Sequence, residues 1–295
     1  DDAPLMIKCK QAGRQPHIIL PPMAHGLRVQ VASYNINQLI GEQLLPELHD
    51  WLIPTVTQNE KSGYAIPGTA PGPDEAPRDA PDFYAIAFQE FAPLHKALAG
   101  ISDSYVYTFD RELRRVMRVH QPEVRDDNLY NALEAGGGPE NYSLLAAVNH
   151  GGQVLYVYAR EKPPKRGVRS AAARVREVRT ASVGTGFAGI MGNKGAVGAR
   201  VVLSSAVPGG PDEVCTFVCA HLAAHDHNVQ RRHAEWRAVC ERLVFDPMSV
   251  QVLPPLQEPV SQEKPATVDA VDPHAYSLYD THHLFVLGDL NYRLA

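Results

Sequence analysis

Apolar and polar positions alternate along the chain in short runs that tend to close the same way, with polar residues at the carboxyl end of an apolar stretch. Residues 283–293 read HLFVLGDLNYR. The apolar run 284–287 has the pattern of a buried strand, and Gly288, Asp289, Leu290 and Asn291 follow it directly. On a continuing strand Asp289 and Asn291 would project to one face, because side chains repeat every second residue. Gly, Asp and Asn are also turn formers, so the same residues read equally as a turn. Residues 27–36, LRVQVASYNI, alternate as a strand and lead to a similar pair, Asn35 and Asn37. A third apolar run, 83–88, is closed by Gln89 and Glu90, and a strand over 213–220 is closed by His221. One such ending is commonplace; four of them outline a site.

Other elements fill the intervals. A short amphipathic helix is expected over 44–53, with Leu44, Leu45, Leu48, Trp51 and Leu52 on one face, and a helix over 91–98. Residues 228–245 read as a helix that buries Val229, Trp236, Val239, Cys240 and Leu243. Segments 144–148 and 154–158 suit a hairpin that turns within 149–152. Residues 18–20 fit a short edge strand, while 62–82 and 246–275 are Pro-rich insertions or loops. Residues 103–142 are mixed and polar, with no element assigned. Residues 161–179 are locally basic and read as a solvated connection, with attraction to an anionic surface as the functional alternative.

Composition narrows the classes. A chain of 295 residues buries a large core in one or two domains. Its net charge of -5 lacks the basic footprint common among nucleic-acid binders. The four cysteines are too sparse for a disulfide framework, which suits reduced intracellular thiols. Cys215 and Cys219 fall within a strand-like run, which argues against a zinc pair. His221 and His225 have zinc-protease spacing, but Leu222 stands where that motif needs Glu. No run has the length of a membrane-spanning helix, no signal peptide is visible, and a start at Asp1 suggests an excised piece.

The glycine-rich stretch 184–198 embeds Asn193 and Lys194 just before a strand. Glycines let backbone amides and one lysine come close to a phosphate. Gly195 after Lys194 rules out the Walker pattern. Taken with the strand ends, one chemistry fits all the pieces. A hard cation such as Mg2+ needs few protein oxygens, which Glu90 and Asn35 or Asn37 can offer. Asp289 held by Asn291 can orient and deprotonate a water. His221 and Lys194 can offset charge in the transition state. This is metal-assisted phosphoester hydrolysis by in-line attack.

The segments SYNIN (33–37), AFQE (87–90), GIMGNKGAV (189–197), HLAAHDHNVQRR (221–232) and GDLNYR (288–293), in this order, resemble the inositol polyphosphate 5-phosphatase catalytic domain. That domain belongs to the DNase I-like endonuclease/exonuclease/phosphatase superfamily. The resemblance implies an α/β fold, a four-layer sandwich of two packed mixed β-sheets flanked by helices, over residues 27–295 after an N-terminal extension, 1–26. It implies Glu90 and Asn35 at Mg2+, His221 on the phosphate, Asp289 as base, and Asn291 holding phosphate or water. Asn193, Lys194, His225, Tyr292 and Arg293 would bind substrate phosphates.

The implied substrates are phosphoinositide lipids or soluble inositol polyphosphates, which lose the 5-phosphate. Nucleic acid is not expected as a partner, and the location would be cytoplasmic with peripheral membrane contact. The family continues beyond GDLNYR with two strands that bear Pro-x-Trp-Cys-Asp-Arg and Ser-Asp-His motifs. This sequence carries neither, so the C-terminal strands are expected to be missing. A non-catalytic phosphoinositide-binding or interaction module is the alternative function.

Overall fold

The computed structural model describes residues 26–37, Leu48, Leu52, 81–92, 103–118, 142–161, 168–186, 194–206, 209–249 and 272–292. Their strands make two four-stranded sheets. The first contains β1 (Val29–Asn35), β2 (Phe83–Gln89), β3 (Tyr142–His150) and β4 (Gln153–Arg160), in the order β1-β2-β4-β3. The second contains β5 (Val175–Gly184), β6 (Gly195–Leu203), β7 (Glu213–His221) and β8 (His283–Asp289), in chain order. Each sheet has one parallel pair, β1 with β2 and β7 with β8; the other pairings are antiparallel.

The side-chain period of two sorts the core into layers. Phe83, Ala85, Leu155 and Val157 of the first sheet meet Val197, Ala199 and Phe217 of the second, forming the layer between the sheets. On the other face of the first sheet, Tyr84, Phe88 and Tyr156 pack with Phe109, Leu113 and Met117 of helix α1 (Asp103–Arg118). On the outer face of the second sheet, Ala196, Val218 and Ala220 pack with Val239 of helix α3 (Val229–Arg242) and with Leu243 and Phe245. The order is helix, sheet, sheet, helix, as the resemblance implies. β2 and β4 are buried along their whole length, which is why they read as nearly unbroken apolar runs. A two-residue turn at Gly151 and Gly152 joins β3 to β4, and Gly151 supplies the positive φ of 60° that such a hairpin needs.

Three expectations are corrected. Residues 103–142 are not all irregular, because α1 occupies their first part. Its stripe of Phe109, Leu113, Val116 and Met117 is narrow and interleaved with charge, so polarity hid it. The basic segment 161–179 is not merely a solvated connection: it includes the short helix α2 (Ala171–Arg174) and the start of β5. Arg174 and Arg179 are buried, and three of the arginines are ion-paired: Arg174 with Glu213, Arg176 with Asp212, and Arg179 with Glu177. That pairing gives each of the three a local counter-charge. Finally, β8, expected as a buried strand, is only partly buried among the described residues. Among the described residues it is the outermost strand of its sheet, and Leu284 and Val286 stay more than a third exposed while Leu287 enters the central layer.

The helices expected over 44–53 and 91–98 fall largely outside the described residues, although Leu48, Leu52 and Phe91 are buried in the outer layer of the first sheet. The strand expected at 18–20 and most of the 62–82 and 246–275 segments also lie outside them. The chain leaves this second segment where it entered: Phe245 and Tyr276 form an antiparallel bridge with N–H to O distances of 2.8 and 3.1 Å. Arg179 reinforces that junction by donating to the carbonyl of Asp272 at 2.8 Å.

Candidate active site

Strand direction brings the polar endings together. β1 and β2 run parallel, as do β7 and β8, and Asn35 contacts Asp289 across the sheets. The carboxyl ends of all four strands therefore lie at one end of the sandwich. β6 runs antiparallel to β7, so its first residue, Gly195, pairs with His221, which in turn pairs with Asp289. That register sets Lys194, the residue before Gly195, beside His221.

The centre of the site is one amide. Asn35 Nδ2 donates to Glu90 Oε1 at 3.1 Å and to Asp289 Oδ2 at 3.0 Å. His221 Nε2 lies 3.9 Å from Glu90 Oε1 and 3.7 Å from Asp289 Oδ2. Lys194 Nζ is 2.6 Å from the same His221 nitrogen. Below them Gln89, itself buried, donates to Cys219 Sγ at 3.2 Å and exchanges hydrogen bonds with Ser33, tying the sheets together under the site.

Both residue pairs close in turns, one of the two readings open for Asp289 and Asn291 and a correction for Asn35 and Asn37, expected on a strand face. Asn37 N donates to Asn35 Oδ1 and Asn291 N donates to Asp289 Oδ1, each at 3.1 Å. Asn37 and Asn291 have φ of 46° and 54°, the left-handed region that Asn tolerates. The turn holds the first side chain of each pair at the strand end while the second swings away. Asn291 Nδ2 donates to the carbonyl of Leu222 at 3.0 Å rather than projecting beside Asp289. Glu90 and His225 also have positive φ, so all four non-glycine residues of this kind among those described lie at the site or its rim.

Burial and charge set the protonation of the central pair. Burial pushes the His221 imidazole down to about 4, and the neighbouring Lys194 adds to the effect against Asp289 and Glu90. His221 is then neutral near pH 7, and the contact is satisfied when the ammonium of Lys194 donates to a bare Nε2. Lys194 is also lowered, chiefly by burial, while Asp289 and Glu90 act to keep it charged.

Of the residues singled out from the sequence, the structure gathers Asn35, Glu90, Lys194, His221 and Asp289, whereas Asn291, expected to hold phosphate or water, offers the site its backbone N–H and turns its side chain to Leu222. Tyr292 and His225 sit on the flanking loops: the Tyr292 ring lies 5.8 Å from that of His233, and the His225 ring stacks on His227. Asn193 and Arg293 lie outside the described residues. The sequence reading missed Gln89 and two charged residues of α3, Arg232 and Glu235, both buried against the loop that follows His221. Arg and Glu read as solvated on a helix whose buried side the sequence assigns to apolar residues, of which Val229 is in fact exposed. Their spacing of three, matching the apolar stripe, was the available signal.

The chain resembles known proteins in sequence and in fold. The type II inositol 1,4,5-trisphosphate 5-phosphatase of Mus musculus is 27% identical over 216 residues, which cover 73% of this chain and 16% of that protein. Synaptojanin-1 of Homo sapiens is 27% identical over 275 residues, covering 91% of this chain and 13% of that protein. The chain thus spans less than a fifth of either relative. Among solved structures, the inositol polyphosphate 5-phosphatase domain of SPsynaptojanin, in complex with inositol (1,4)-bisphosphate and calcium ion, matches with a TM-score of 0.54 and 19% identity. The match covers 91% of this chain and 54% of that one, and it establishes the shared DNase I-like sandwich. The family model described as "Endonuclease/Exonuclease/phosphatase family 2" matches residues 32–295, and the chain belongs to that family.

Proposed function

We propose that this chain is the catalytic part of a Mg2+-dependent phosphatase that removes the 5-phosphate from phosphoinositides or soluble inositol polyphosphates. The observation that carries the reading is the Asn35 amide bridging Glu90 and Asp289, with Lys194 and His221 beside them. The named activities of the relatives supply the substrate class. On this reading the protein works in the cytoplasm and meets membranes peripherally when its substrate is a lipid.

The donor set fits a hard cation. Glu90 and Asp289 keep 37% and 29% of their side chains exposed, so both carboxylates open toward an incoming ion or phosphate. Mg2+ suits two such carboxylates, since it is commonly held by one or two of them with waters and substrate phosphate oxygens. Glu90 would hold it, with Asn35 beside it. When bound, Mg2+ supplies Lewis-acid polarisation of a phosphoryl oxygen and offsets the charge that gathers there.

The chain's own residues supply the rest. Asp289 is fixed at both oxygens, by the backbone of Asn291 and the amide of Asn35. It takes a proton from the attacking water as the water oxygen bonds to phosphorus. On the opposite side the bond to the inositol oxygen breaks; that oxygen leaves with the electron pair and takes a proton from solvent. Lys194 has N–H groups to spare for an anionic oxygen. A phosphate dianion beside His221 favours its protonated form, which then donates as well.

The test is phosphate release from inositol 1,4,5-trisphosphate and from phosphatidylinositol 4,5-bisphosphate vesicles, with Mg2+ and with chelator. It uses the longest reading frame that contains this chain. Release that needs Mg2+ supports the reading. Vesicle binding without release from either substrate replaces it with a binding module.

A further inference from the structure

We infer that Arg232 and Glu235 of α3 are positioning residues that lock together the two loops flanking the site, an inference that rests on the phosphatase reading above. The first loop, 222–225, follows His221; the second, 290–292, follows Asp289. Both side chains are almost fully buried, Arg232 with 1% exposed and Glu235 with 5%.

Their contacts converge on backbone atoms. Glu235 Oε2 accepts from Ala223 N at 2.7 Å, and Arg232 Nη1 donates to the carbonyl of Ala223 at 3.0 Å. Ala223, two residues past His221, is therefore held at both its N–H and its C=O. Arg232 Nη1 also donates to the carbonyl of His225 at 2.7 Å, fixing a residue whose φ of 73° with ψ of 144° is a combination rare outside glycine. The same guanidinium lies 5.1 Å from the ring centre of Tyr292, on the second loop. From the other side, Leu222 donates to the carbonyl of Asp289 at 3.0 Å and accepts from Asn291 Nδ2. Asn228 closes the set by donating to the carbonyl of Ala224 at 2.7 Å.

Packing alone does not explain this choice of residues. Arg232 has no carboxylate within ion-pair distance among the described residues, and its buried Nε has no hydrogen-bond partner. Glu235 gives its other oxygen to Arg231 at 2.9 Å instead. An unpaired buried cation is an expensive way to fill space, and an apolar side chain of similar volume would serve the core better. What the guanidinium provides is fixed geometry: two carbonyls and one aromatic face, held by one rigid planar group. The clamp also lies within electrostatic range of the site, since Glu235 and Arg231 act in opposite senses on Lys194.

The experiment compares Arg232→Lys, Arg232→Met, Glu235→Ala and Glu235→Gln in the longest reading frame that contains this chain, with Mg2+ and inositol 1,4,5-trisphosphate. Gln keeps an oxygen for Ala223 N, whereas a lysine ammonium does not span both carbonyls and the ring. We expect kcat to fall about tenfold or more in Arg232→Lys, Arg232→Met and Glu235→Ala, through misplacement of His221 and Asp289. KM stays within about twofold, and Glu235→Gln keeps most of the wild-type kcat.

Hydrogen exchange, measured in parallel, quickens at residues 222–225 in those three variants while the core strands keep wild-type rates. Wild-type kcat in the Arg232 variants, or activity that merely tracks the lost folded fraction with faster exchange throughout, overturns the inference. Should Arg232→Met not fold, Arg232→Lys carries the test. If the wild type releases no phosphate, the phosphatase reading fails, and exchange alone decides the clamp: local quickening upholds it, and unchanged exchange overturns it.

Discussion

Asn35 donates to Asp289 at 3.0 Å although 254 residues separate them in the chain. The bond runs from the first strand of one sheet to the last strand of the other, so the site exists only when the two sheets dock in register. Replacing Asn35 with Ala removes the donor shared by two carboxylates. The expected loss in kcat is about 100-fold, the scale of one oriented site donor. Steady-state kinetics with a thermal melt would check this. A fall in Tm that alone accounts for the lost activity would contradict it.

Asp289→Ala removes the proposed base and leaves the backbone pairing of β8 with β7 in place. Turnover should drop by about 10²–10⁴-fold, with the circular dichroism spectrum unchanged. Near-normal turnover in that variant would place the base elsewhere.

Glu90→Gln keeps the shape and the hydrogen bond from Asn35 but removes the charge. The Mg2+ concentration for half-maximal phosphate release should rise by about tenfold or more. Titration of Mg2+ against wild type checks this, and an unchanged midpoint would remove Glu90 from the metal's holders.

The sequence made much of this legible because the site is built from strand endings. Asn35, Glu90, His221 and Asp289 each follow an apolar run, and parallel pairing places such endings side by side. The two readings of Asp289-Leu290-Asn291, turn and site, proved to be the same structure: the turn is what fixes the carboxylate. What stayed hidden was charge that is buried because it is bonded. Arg179, Arg232 and Glu235 look solvated in a one-dimensional pattern, and only their tertiary partners make their burial tolerable. The same limit concealed β5, whose arginines disguise a strand.

Gly288→Ala tests the close contact between β8 and β7. A Cβ on Gly288 would sit 2.0 Å from the carbonyl oxygen of Ala220, and its φ of 123° disfavours any other residue. A loss of about 3 kcal/mol or more is expected, since backbone must move in a packed sheet. Gly195→Ala, 2.0 Å from Val183 O, should behave alike. Denaturant midpoints near wild type for both would refute the contact.

Alkaline conditions should unfold the protein earlier than its surface groups require. Burial pushes the Cys219 thiol from 9.0 up to about 12, and burial with Asp110 raises the Tyr158 phenol. Both favour the neutral form in the fold, so the unfolded chain releases its protons first. The contribution of Cys219 is complete below about pH 9 and is lost as the pH climbs toward 12. Melting temperatures across this window should fall, and more gently in Cys219→Ala. Equal slopes would dismiss the thiol as the cause.

The bridge between Phe245 and Tyr276 turns everything between them into a closed excursion with neighbouring exits. The entropy of closing such a loop grows only with the logarithm of its length, so doubling it adds about 0.6 kcal/mol. Because the chain re-enters beside its point of departure, β8 reaches β7 in the same register whatever the excursion's length. Evolution can therefore change that segment's length while the bridge keeps the entry to β8, and with it Asp289, in place.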